Sequence, residues 1–185
     1  MKTEIILLTD VSGSMSVIDR PTCQALNMFI EEQRTVPGEA RVTHLRFNTS
    51  VRTDFEGRLL ASVPRFQTLS CGGGTALFDA IISTTAQQYQ RILRENWADQ
   101  VIFVISTDGE DLNSRYTRGS ARAAIEEMQA HGWQFVFLGA NINAAHYAEE
   151  LSIDISFQYD QTAAGVAQGI QTVSQSVRQM RSWGL

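Results

Sequence analysis

Asp10, Ser12 and Ser14 stand at alternate positions just past a short apolar run, Ile5-Ile6-Leu7-Leu8, with Thr9 between, and Asp108 follows a second such run, Val101 to Ile105. Thr75 comes right after Gly72-Gly73-Gly74, at the start of a helical pattern. Two carboxylates converging on one spot repel and raise one pKa unless a cation lies between them. Serine and threonine hydroxyls would add neutral oxygen donors. A set of hard oxygens with no His or Cys suits Mg²⁺, Mn²⁺ or Ca²⁺ rather than Zn²⁺. Mg²⁺ fits best: it prefers near-octahedral oxygen coordination and keeps waters, so Asp10, Ser12, Ser14, Thr75 and Asp108, some acting through water, leave a position open.

Competing chemistries find less support. A DxSxS string alone is a common helix cap, and Thr75 and Asp108 lift this one above that reading. Glu110 and Asp111 fit a solvated loop, Asp111 as a turn former. The glycines could cradle a phosphate with their N–H groups, but no GxxxxGK[ST] follows and Lys2 is the only Lys in the chain. Asn141 suits either the rim of the metal crevice or a helix cap. His44, His131 and His146 lack metal-ligand spacing and read as structural or surface residues. Cys23 and Cys71 form no CxxC pair or disulfide framework, and Cys71 reads as a packing residue.

Strand ends must position these residues. Glu4 to Leu8, Val101 to Ile105 and Trp133 to Leu138 read as strands buried on both faces of a parallel sheet. Arg41 to Phe47 and Val51 to Phe55 are two more, the second alternating in the manner of an antiparallel edge strand. A loop from Gly57 to Gly74 and a brief strand at Asp154 to Phe157 complete the pattern. Helices are predicted over Arg20 to Arg34, along Phe78, Ile82, Thr85, Tyr89 and Ile92, around Ala121, Ile125 and Met128, over Ile142 to Leu151, and along Val166, Ile170, Val173, Val177 and Met180. Strands alternating with helices predict an α/β fold: a Rossmann-like, doubly wound sheet, mostly parallel with one antiparallel edge strand and helices on both faces. Ligands in such sheets bind beyond the carboxyl ends of the strands where the winding reverses.

The 185 residues suit a single domain over 1–185, with disorder expected only at the last few residues. A net charge of -5 disfavours nucleic acid as a partner. The opening apolar run is too short for a signal peptide and no stretch approaches a membrane span, so a cytoplasmic location without membrane contact is expected.

The motifs Asp10-x-Ser12-x-Ser14, Thr75 after a glycine loop, and Thr107-Asp108-Gly109 resemble the metal ion-dependent adhesion site of von Willebrand factor A domains. The element order is similar over essentially the whole chain. Size and the Phe137-Leu138-Gly139-Ala140-Asn141 segment resemble the compact, stand-alone bacterial and phage members most. The resemblance implies that Ser12 and Ser14 coordinate the metal directly and that Thr75 joins when a partner is bound. It further implies that Asp10 and Asp108 hold metal-bound waters and that the first and fourth strands lie side by side. The implied function is a non-enzymatic adaptor that docks an Asp or Glu of a partner protein, commonly an AAA+ ATPase of the MoxR type. Larger relatives shift their final helix on binding, which makes coupling of the last helix to the site an expectation, with static packing the competing one.

The alternative is a Mg²⁺-dependent phosphatase of the haloacid dehalogenase type with Asp10 as nucleophile. Those enzymes resemble DxDx[TV] and use a Lys against the phosphate. Here Ser12 replaces the general acid, and Lys2 is badly placed.

Overall fold

In the computed structural model, residues 1–182 are described. The disorder expected of the last few residues concerns positions outside them in part, 183–185. The chain runs β1 (Lys2–Asp10), a 3₁₀ turn (Gly13–Ile18), α1 (Asp19–Arg34), β2 (Glu39–Phe47) and β3 (Val51–Leu59). It continues with α2 (Leu77–Glu95), β4 (Gln100–Thr107), α3 (Arg118–Ala130), β5 (Trp133–Ala140), α4 (Ala144–Glu150), β6 (Ile155–Tyr159) and α5 (Ala163–Ser182). The sheet order is β3-β2-β1-β4-β5-β6, parallel throughout except for β3 on β2.

Period-two alternation along β1 explains the layering. Ile5 and Leu7 enter one core with Leu26 and Phe29 of α1 and Val173 and Val177 of α5. Ile6 and Leu8 enter the other with Ile81 of α2, Ile125 of α3 and Tyr147 of α4. Each such side chain removed from water contributes about 1.5–3 kcal/mol, so the apolar strands alone commit the chain to a covered sheet. Among the described residues no helix is long and apolar enough to cross a membrane.

Two elements depart from expectation. β3 runs on past Phe55 to Leu59 because Gly57, which reads as a breaker, takes a positive φ of 56° and donates its N–H to Thr43 Oγ1 at 2.9 Å. The ladder shifts register around His44, as a bulge requires. In α2 the buried face includes Thr84, Gln88 and Arg91, while Ile82, Tyr89 and Ile92 are only partly buried. The polar side of that face is compensated by Glu4 of β1, which accepts from Arg91 at 2.5 Å and Thr43 at 2.6 Å.

Candidate metal centre

The winding reverses between β1 and β4, which pair from Thr3–Gln100 to Thr9–Ser106, so Asp10 and Asp108 leave the sheet at one crevice. Asp10 is fully buried. Its Oδ1 accepts from the Ser12 N–H at 2.7 Å and its Oδ2 from the Thr107 hydroxyl at 2.6 Å. The tight turn this makes places Ser12 Oγ 3.2 Å from Ser14 Oγ, and Ser14 Oγ in turn donates to Asp108 Oδ1 at 2.9 Å. Asp10, Ser12, Ser14 and Asp108 are thus one hydrogen-bonded cluster.

Thr75 reaches the same crevice from the glycine loop. That loop is tied to the β1 turn by Gly13 N–H to the Gly73 carbonyl (2.9 Å) and Gly72 N–H to the Val11 carbonyl (2.8 Å). At Gly74 a Cβ would displace the Asn113 side chain, whose Oδ1 accepts the Thr75 N–H at 2.9 Å. The Thr75 carbonyl accepts from Leu112 and Asn113, both at 3.0 Å, and Thr75 Oγ1 lies 3.9 Å from where a Cβ on Gly109 would be. Among the described residues no group hydrogen-bonds the Thr75 hydroxyl, which keeps contact with solvent and is not a sealed polar atom. The loop's N–H groups at Gly72, Thr75 and Ala76 are all used internally.

Electrostatics frame the chemistry. Burial raises the Asp10 pKa, and the charge of Asp108 adds to this against the hydrogen bonds from Thr107 and Ser12. Burial likewise raises Asp108, opposed by its bonds from Ser14 and Gln161. Among the described residues neither carboxylate has an ion-pair partner. Nor does any group of three or more His, Cys, Asp or Glu side chains converge, so a cation here would depend on hydroxyls. Two uncompensated carboxylates, a hydroxyl relay and a free threonine hydroxyl fit a hard divalent ion.

Several side residues are accounted for. Asp111 does more than shape its own turn: its Oδ1 accepts from the Phe78 N–H at 3.2 Å, capping α2. Asn141 does not cap α4; Asn143 does, accepting from the His146 N–H at 3.1 Å. His44 is structural, bridging Thr9 and Asp54. Burial pushes the Cys71 thiol up to about 11 and the Cys23 thiol up to about 12, so both are protonated packing groups. Sequence reasoning missed Asn113, Asn48, which donates its amide to the Gly72 carbonyl at 2.8 Å, and above all Gln161. Gln161 donates to Asp108 Oδ2 at 2.5 Å and to the Ser14 carbonyl at 3.0 Å. No sequence signal marks it.

No protein-family model and no curated protein matches the chain. Solved structures do. Proximal thread matrix protein 1 from the mussel byssus, with a zinc-occupied MIDAS motif, is 15% identical at a TM-score of 0.66, covering 94% of this chain and 47% of that one. VWA2, the ArnB paralog of Sulfolobus acidocaldarius, is 15% identical at 0.66, covering 93% and 44%. The vWF domain of the type V pili tip protein Mfa5 from Porphyromonas gingivalis is 10% identical at 0.69, covering 95% of each chain. The chain therefore has the fold of a von Willebrand factor type A domain, and it spans a little under half the length of the first two structures.

Proposed function

We propose that this protein is a metal-dependent protein-binding module in which Asp10, Ser12, Ser14, Thr75 and Asp108 hold one divalent cation, Mg²⁺ foremost. The observation that carries this reading is the buried Asp10 beside Asp108 with, among the described residues, no positive side chain paired with either. A bound cation would supply a Lewis-acidic point with room for a carboxylate from a partner. Thr107 and the Ser12 N–H fix Asp10 so that its charge stays directed into the crevice. Leu112, 78% exposed and bonded through its N–H to the Thr75 carbonyl, offers apolar contact beside a docking Asp or Glu. The zinc-occupied MIDAS of the mussel protein supports a divalent ion on this fold. The partner is a protein presenting an acidic side chain, with an AAA+ ATPase of the MoxR type one candidate, and the module does no catalysis.

A phosphatase using Asp10 is disfavoured by its chemistry here. Ser12 stands where the general acid would be, and Lys2 lies at the opposite end of β1 with its Nζ 5.9 Å from the Trp97 ring. The test sets partner retention in Mg²⁺ beside retention in EDTA and by a Ser12→Ala, Ser14→Ala variant, with aryl phosphate turnover measured in parallel. Partners retained only by the wild type in Mg²⁺ are expected. The same partners in EDTA, or turnover abolished by Asp10→Asn, would overturn the proposal.

A further inference from the structure

Asn141 follows β5 in a left-handed conformation, φ 53°, which asparagine tolerates better than other non-glycine residues. Its N–H donates to the Tyr159 carbonyl at the end of β6 at 3.1 Å. Its amide then brackets Gln161 at two points: Asn141 Nδ2 donates to Gln161 Oε1 at 3.0 Å, and Gln161 N–H donates to Asn141 Oδ1 at 3.2 Å. With Oε1 committed to Asn141, the Gln161 amide can present only Nε2 to the crevice. There it donates to Asp108 Oδ2 and to the Ser14 carbonyl.

Asp108 is therefore held at both oxygens, Oδ1 by the Ser14 hydroxyl and Oδ2 by Gln161. A carboxylate on one support swings about a broad terminal torsion, and a second support fixes its plane. The donor's type matters as much as its place. A Lys or Arg at position 161 would neutralise the charge a cation needs, whereas a neutral amide orients the carboxylate and leaves its charge intact.

We propose that Gln161, clasped by Asn141, is a positioning residue of the candidate metal centre that sets the orientation of Asp108. This rests on the metal-binding reading above. Groups that orient metal ligands in this way typically change metal affinity by about 10–100-fold when removed.

The test is Mn²⁺ affinity, read from loss of the free-ion electron paramagnetic resonance signal, with thermal unfolding in EDTA as the control. Gln161→Ala is expected to weaken Mn²⁺ binding about tenfold or more. Asn141→Gly should weaken it in the same direction, since glycine keeps the left-handed backbone and only the clasp is lost. Both should melt in EDTA within about 4 °C of the wild type, the shift expected for about 1 kcal/mol or less in a chain of this size. Gln161→Lys should abolish binding while melting no lower than the wild type in EDTA. Wild-type affinity in Gln161→Ala, or in Asn141→Gly should the first variant fail to fold, overturns the inference. So does an affinity loss matched by collapse of the EDTA melt in both variants. A wild type that binds no Mn²⁺ instead overturns the metal-binding reading itself.

Discussion

A carboxylate as deeply buried as Asp10 ordinarily lies against a positive group, as Glu4 does against Arg91 in the same sheet. Among the described residues Asp10 has a hydroxyl and an amide to receive it and no positive group, and this missing charge is the residue-scale basis for a cation. His44 shows the opposite solution, a buried titratable group kept neutral. Burial lowers its pKa below the usual 6.5, helped by Arg46 and opposed by Asp54, whose Oδ2 lies 2.9 Å from Nδ1. The unfolded chain takes up a proton near 6.5 that the folded chain refuses until lower pH. The His44 contribution to stability is thus complete above that value and declines as pH falls below it. Asp54, lowered below 3.8, loses its contribution only in stronger acid. From about pH 7.5 to about pH 5.5 the wild-type melting temperature should therefore fall more steeply than that of His44→Gln. Parallel profiles would contradict this account of His44.

At the scale of elements, the buried ion pair between β1 and α2 carries the sharpest stability consequence. Arg91→Met strands Glu4 without its partner and should cost about 3–5 kcal/mol in urea denaturation, whereas Glu4→Leu combined with Arg91→Met should recover most of that loss. A double variant no more stable than the single one would show that the pair itself stabilises the fold. The same pair explains what the sequence conceals. Apolar spacing alone orients α2 by Phe78, Ile82 and Tyr89, because nothing in a periodic pattern reveals that Arg91 is turned inward to meet Glu4, 87 positions away. β3 reads too short for a similar reason, since Gly57 as a bulge and Gly57 as a breaker look alike in one dimension. The strands β1, β4 and β5 are legible because burial on both faces gives each an unbroken apolar run, Ile5 to Leu8, Val101 to Ile105 and Phe135 to Leu138.

For the whole molecule, the reversal of winding at β1 and β4 turns two distant sequence motifs into one crevice. Asp10, Ser12, Ser14 and Asp108 are legible as a set because residues at strand ends have their location fixed by sheet order. Gln161 is not: it approaches Ser14 from 147 positions away through the loop before α5, and glutamine is an ordinary surface residue. The fold is that of von Willebrand factor type A domains, but a likeness of 15% identity or below to the compared structures leaves the site's chemistry to be decided by its own residues. Calorimetric titration of Mg²⁺ into metal-stripped protein decides it most directly. The wild type should bind a single ion saturably, and Ser12→Ala with Ser14→Ala should abolish that binding while leaving the EDTA-state melt near the wild type. No saturable heat from the wild type, or undiminished binding by the variant, would contradict the metal centre on which the account depends.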